Sequence, residues 1–193
     1  MGHALTSTTE KRCITVLAVG NPILHDDGTG QAILASLQNQ PQDCWQPKSQ
    51  DHRSPGSMSA PSQHPHYPDV HFIDGGISGM ELLPIIQDAS HLLILDAIAG
   101  SQPGTVVSLE GDQIPRLRRA KLSPHQVGLL DLLSATRLIG GEPQQVAAVG
   151  IVPDRLDPGV GLSNPVRSAL PDATDEARRI LQGWLSATPH QYV

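Results

Sequence analysis

VLAVGNPILHDDGTG, residues 16–30, reads as a strand, an acidic loop and the start of a helix. The apolar run over 14–19 ends at Gly20, a polar loop carries the adjacent carboxylates Asp26 and Asp27, and an amphipathic segment, 31–37, follows Gly28 and Gly30. This is the first half of a βαβ unit. The run is too continuously apolar for a half-exposed strand, so it predicts a central parallel strand covered on both faces. Open α/β sheets place ligands beyond the carboxyl ends of such strands. Two crowded carboxylates there call for a cation or a proton to relieve them.

Outward from this stretch, the pattern repeats. Residues 70–73 predict a short strand ending at Asp74, with Gly75-Gly76 turning the backbone. Ser78-Gly79-Met80-Glu81 matches a capping box and predicts a helix to about Gln87. Pro84 falls inside it, which requires a kink or two short pieces. LLIL at 92–95 is a second buried strand, stopped by Asp96, and GTVVSL at 104–109 reads as an antiparallel edge. Ser123 as cap, Pro124 as first helical residue and Gln126 open a helix to about Ile139, ended by Gly140-Gly141. Residues 146–152 form the last buried strand, and 172–185 a closing helix with Ala177, Ile180, Leu181 and Trp184 inward. Alternating strands and helices predict an α/β three-layer sandwich: a mostly parallel twisted sheet of about five strands with helices on both faces.

Bulk properties narrow the class. The 193 residues fit one domain, read as a flexible tail over 1–12 and a single α/β domain over 13–193. Residues 39–69 stand apart, with six prolines and no Leu, Ile, Val or Phe, and predict a mobile insertion. Its His52, His64 and His66 fit no ligand spacing and read as solvated residues rather than a metal store. A net charge of −6 argues against nucleic acid or anionic membrane as partner. Apolar runs fall far short of the roughly 20 residues of a membrane span. The first 12 residues lack a signal peptide's apolar core, and Cys13 and Cys44 make no framework, so a reducing cytoplasm is expected.

Chemistry-bearing residues interrupt the apolar segments. Asp27 follows the first strand, Asp96 ends LLIL, and His125 sits in the first turn of the SPHQ helix. In a parallel sheet the two aspartates emerge at one edge. Two carboxylates and an imidazole suit a divalent transition ion, and a helix N-terminus keeps such an imidazole neutral. Each also has an ordinary reading: Asp27 as a helix cap, Asp96 as a turn residue, His125 as an exposed helix start. Asp74, beside two glycines, is a candidate to hold substrate backbone or assist a base, and equally a plain turn residue. The serine elbow fails at Met80, the phosphate loop is absent, and the dinucleotide fingerprint fails at Ile33. An aspartic-protease pair would need Asp26 and Asp27 to converge on one proton, which adjacency in sequence does not supply.

Blocks of this chain resemble the maturation endopeptidases of nickel–iron hydrogenases. These are GNPILHDDGTG at 20–30, DGGISGMELL at 74–83 leading to LLILDAI at 92–98, SPHQVGLLDLLSA at 123–135, and GIVPDRLDPGVGLS at 150–163. The resemblance implies that Asp27, Asp96 and His125 are metal ligands, with Asp27 or Asp96 also a candidate general base. It implies a substrate, the precursor of a hydrogenase large subunit already loaded with nickel, from which a short C-terminal peptide is cut. Nickel would arrive with the substrate rather than reside as a cofactor, and the enzyme would act as a monomer. The family often has Thr where Ile77 stands and Glu where Asp27 stands. A precursor-holding chaperone that does not cut, and a metal-dependent hydrolase of small molecules, are the competing readings.

Overall fold

The structure, a computed structural model, describes residues 13–39, 70–114 and 124–187, with side chains left aside over 124–130. The expectations for the tail, the Pro-rich insertion beyond residue 39, Ser123 and the His125 side chain lie outside the described residues.

Five strands form one sheet in the order β2-β1-β3-β5-β4. They are β1 (Ile14–Val19), β2 (Val70–Gly76), β3 (His91–Ala97), β4 (Val106–Glu110) and β5 (Gln145–Ile151). The first three and β5 run parallel, and β4 is the antiparallel edge that its Gly-led sequence suggested. Every residue of β1 and β3 is buried, as the apolar runs require of strands covered on both sides. The pleat sends alternate side chains to opposite faces. Ile14, Val16, Ala18, Leu93, Leu95 and Val149 pack against α1 (Thr29–Gln38) and α4 (Asn164–Ser186). Leu17, Leu92, Ile94 and Ala148 face Leu82, Ile86 of α2 (Leu83–Asp88) and Leu132 of α3 (Pro124–Ile139). Two helical layers thus sandwich the sheet, as expected.

The segment after β2 is the two short pieces that Pro84 allowed, though without a Ser78 cap, and the start of the last helix differs from expectation. Ser78 does not cap a long helix. Glu81 instead accepts the Gly79 N–H at 3.1 Å, Met80–Leu82 forms a 3-10 turn, and α2 starts at Leu83 with Pro84 in its first turn. Proline fits there because a first-turn N–H has no intrahelical partner to lose. The last helix begins at Asn164 rather than Asp172 and carries Pro171 inside it. Burial of Val166 and Ala169 against the core carries the helix through the proline, outweighing one lost backbone bond. Its inward face is as expected, with Ala177, Ile180, Leu181 and Trp184 buried. Among the described residues no helix is long and apolar enough to cross a membrane.

Candidate functional site

The strand order reverses at β1. The chain leaves β1 through α1 to reach β2 on one side, then returns through α2 to β3 on the other. Because α1 and α2 lie on opposite faces, a crevice opens between the carboxyl ends of β1 and β3, the ligand position of doubly wound sheets. The acidic loop fills one wall of it as a 3-10 turn, His25–Gly28. Gly30 brings α1 in close: a Cβ there would meet the Leu95 carbonyl oxygen and, at 2.6 Å, that of Val19.

The adjacent carboxylates of this turn do different things. Asp26 is fully buried and accepts backbone N–H bonds from Ser163 at 2.7 Å, Asp154 at 2.9 Å and Arg155 at 3.1 Å. Burial pushes its carboxyl up, but the bonds from Ser163, Arg155 and Asp154 outweigh that and hold it below its ordinary value. Asp27, 1% exposed, turns to the other side and accepts the Asn21 N–H at 2.9 Å. The N-cap position of α1 is held by Gly28, one residue beyond Asp27. The two carboxylates serve separate partners.

Asp96, 5% exposed, sits at the end of β3 one residue past Leu95, which pairs with Ala18 of β1. Its Oδ1 accepts the Ala97 N–H at 2.7 Å. Asp74 pairs with Ala18 from the other side. It is exposed, and its Oδ1 accepts the Gly76 N–H at 3.0 Å and the Gln31 amide at 3.3 Å. Gln31 also donates to the Gly20 carbonyl at 2.9 Å, tying the end of β2 to the end of β1. Asp27, Asp74 and Asp96 therefore share the carboxyl edge of three neighbouring strands. His125 falls in the first turn of α3, which packs on α2 and on the Met80–Leu82 turn. Among the described residues no three His, Cys, Asp or Glu side chains group as a metal site; the expected trio includes one side chain outside that set.

A second wall comes from residues 153–163. Beyond the three bonds to Asp26, His25 donates its backbone N–H to the Gly159 carbonyl at 3.0 Å, and the Gly159 N–H donates to Ile23 at 2.9 Å. The His25 Nδ1 lies 2.9 Å from the Gly161 carbonyl oxygen, and the ring covers Gly159, where a Cβ would meet it. His25 has φ +49°, a left-handed conformation that a non-glycine residue adopts only when its surroundings impose it. Arg155 holds Asp157 down to about 2 through a side-chain hydrogen bond, closing the loop on itself. Nothing in the spacing of Asp26 and this loop signals their pairing. The nearest sign is the second aspartate itself, one carboxylate more than the expected trio uses.

Comparison with known proteins agrees with this architecture. The family described as hydrogenase maturation protease matches residues 59–180. The chain is 33% identical over 184 residues to the Hydrogenase 2 maturation protease of Escherichia coli (strain K12), covering 93% of this chain and 98% of that one. It is 31% identical over 174 residues to the hydrogenase expression/formation protein HoxM of Cupriavidus necator, covering 89% and 75%. Among solved structures, the hydrogenase maturating endopeptidase HybD from E. coli superposes with a TM-score of 0.72 at 32% identity, over 90% of this chain and 94% of that one. The [NiFe] hydrogenase maturation protease HybD from Thermococcus kodakarensis shares the fold, with a TM-score of 0.62 at 22% identity over 88% and 99%.

Proposed function

The chain belongs to the hydrogenase maturation protease family, and from that premise we propose that it recognises nickel already held in a hydrogenase large-subunit precursor and removes the precursor's C-terminal peptide. The observation that carries this reading is the placement of Asp27 and Asp96. Both are almost fully buried, and both stand at the crevice between β1 and β3. Burying two carboxylates in one crevice is costly, and a cation delivered into it offsets the cost. Their oxygens suit a divalent ion, and a neutral imidazole from His125 adds the nitrogen donor that favours nickel over calcium or magnesium. Nickel is cargo of the substrate here, and Asp27, Asp96 and His125 are its reading head.

Cleavage needs a water to attack the scissile carbonyl. A carboxylate, Asp27 or Asp96, takes the proton from that water as the new C–O bond forms, and the C–N bond then breaks with the proton passing to the departing amine. The alternative is that the substrate's nickel polarises the carbonyl or the water as a Lewis acid, the carboxylates only positioning it. Asp74 lies at the rim of the same edge, where it can hold substrate backbone. The enzyme works as a monomer in the cytoplasm, on a folded precursor much larger than itself.

Mass spectrometry of a nickel-loaded precursor after incubation tests the reading. Loss of a C-terminal peptide is expected, and only with nickel present. An intact precursor that nevertheless stays bound would point to the holding chaperone, and turnover of a small molecule without any precursor to the small-molecule hydrolase.

A further inference from the structure

Six large apolar side chains stand well exposed among the described residues, and four of them gather at the carboxyl edge of the sheet: Ile23, Ile77, Met80 and Val160, each more than half exposed. The other two, Leu138 and Ile139, end α3, where the chain turns back toward the start of β5. The four belong to three segments far apart in sequence, yet backbone bonds stitch those segments together. The Gly20 N–H donates to the Gly76 carbonyl at 2.9 Å, which sets Ile77 beside the loop bearing Ile23. The Gly159 N–H donates to the Ile23 carbonyl at 2.9 Å, which sets Val160 beside it on the other side. Met80 follows Ile77 within one turn. The result is an apolar rim on the carboxyl edge of the sheet, the edge that also carries Asp27 and Asp96.

We propose that this rim docks an extended, apolar stretch of the precursor polypeptide next to the scissile bond. The proposal rests on the reading of the Asp27–Asp96 crevice as the cleavage site, because the rim lies on the same edge of the sheet. Exposed apolar side chains cost solubility and persist where a partner covers them. Four side chains fall well short of the roughly 800 Å² per partner of a stable pair, so a second copy of this chain is a poor occupant and a transiently held substrate strand a good one. The charges beside the rim define the strand further. Asp157 is neutralised by Arg155 at 2.7 Å, which leaves the exposed acids Asp74, Glu81 and Asp154. The docked stretch is therefore apolar and free of acidic residues.

The test is steady-state processing of the nickel-loaded precursor by Ile77→Ser/Val160→Ser, with Leu138→Ser as a control at the far edge. A thermal melt matching the parent establishes that the double variant is folded, and Ile23→Ser alone gives a second, smaller perturbation. The expected result is a KM raised about tenfold with kcat at saturation near the parent's, the pattern of lost ground-state binding, and a control that behaves as the parent. An unchanged KM in a protein that otherwise cleaves overturns the rim and leaves the cleavage reading standing. A parent that cleaves no nickel-loaded precursor overturns both. A dimer in sedimentation that the double variant converts to monomer assigns the rim to self-association and overturns it as well.

Discussion

Asp26 accepts the backbone N–H of Ser163 at 2.7 Å although 137 positions separate the two residues. The bond joins the turn after the first strand to the residue just before the last helix, and Asp154 and Arg155 donate to the same carboxylate. One buried side chain thus fixes both walls of the crevice relative to each other. Sequence adjacency makes Asp26 and Asp27 look like a pair, but the first anchors the 153–163 wall while the second accepts the Asn21 N–H beside β1.

Asp26→Asn should therefore destabilise the fold, by about 2 kcal/mol, because an amide cannot accept from all three donors and leaves buried N–H groups unpaired. The pH dependence has a definite sign. The carboxyl sits below its ordinary value of 3.8 in the folded state. Its contribution is then fully present above 3.8 and lost as pH falls through the lower folded value. Thermal melts from pH 6 downward should show the parent losing stability below about pH 4. The Asn variant, less stable at neutral pH, should lack that component; an identical acid slope in both would remove Asp26 from this role.

Gly30 and Gly183 make a matched pair of helix glycines. A Cβ at Gly30 meets backbone oxygens of Leu95 and Val19, whereas nothing lies within 4 Å of one at Gly183. Gly30→Ala must push α1 off the strand ends and should cost about 3 kcal/mol, with loss of processing as the crevice opens. Gly183→Ala should instead add roughly 0.5–1 kcal/mol through helix propensity alone. Urea unfolding of the two variants checks both signs at once.

Much of this architecture is legible in the residue order. The runs at 14–19 and 92–95 announce buried parallel strands, and the aspartates that follow them, Asp26 and Asp27 after the first and Asp96 after the second, mark the edge where they end. Local signals read well where local energy decides, as at Gly140, which ends α3 with φ +81°. They fail where tertiary burial decides. Pro171 looks like a boundary, yet α4 runs through it because Val166 and Ala169 have a core to fill. The 153–163 wall is illegible for a different reason. Its bonds to His25 and Asp26 span more than a hundred residues, and no periodicity encodes a contact at that distance.

His25 and Gly159 should behave as one unit. The imidazole covers Gly159, so Gly159→Ala forces the ring away and should loosen the second wall. His25→Gly gives up the contact with the Gly161 carbonyl but relieves the left-handed backbone. In the double variant the new methyl has no ring to meet, so the two changes should cost less together than their sum, by about 1–2 kcal/mol. Chemical denaturation of the four proteins of the cycle measures that coupling. Strict additivity would mean that the ring and the glycine do not constrain each other.

Asp27, Asp96 and Asp74 can be told apart by their amides. Asp27 and Asp96 are buried at the crevice while Asp74 is exposed and already engaged with Gly76 and Gln31. If the first two grip nickel, Asp27→Asn and Asp96→Asn should each lose capture of the nickel-loaded precursor together with turnover, as should His125→Ala. Turnover should fall by about a hundredfold or more, the scale of a missing general base or ligand. Asp74→Asn keeps an acceptor oxygen and should fall less than about tenfold, within the range of a single neutral hydrogen bond. Capture is read by co-purification and turnover by mass spectrometry on the same samples. A carboxylate whose amide still captures the precursor but no longer cuts it is the general base, because binding then survives the loss of its charge while proton removal does not. If both amides lose capture and cutting together, water activation falls to the substrate's metal, and the carboxylates serve only to hold it.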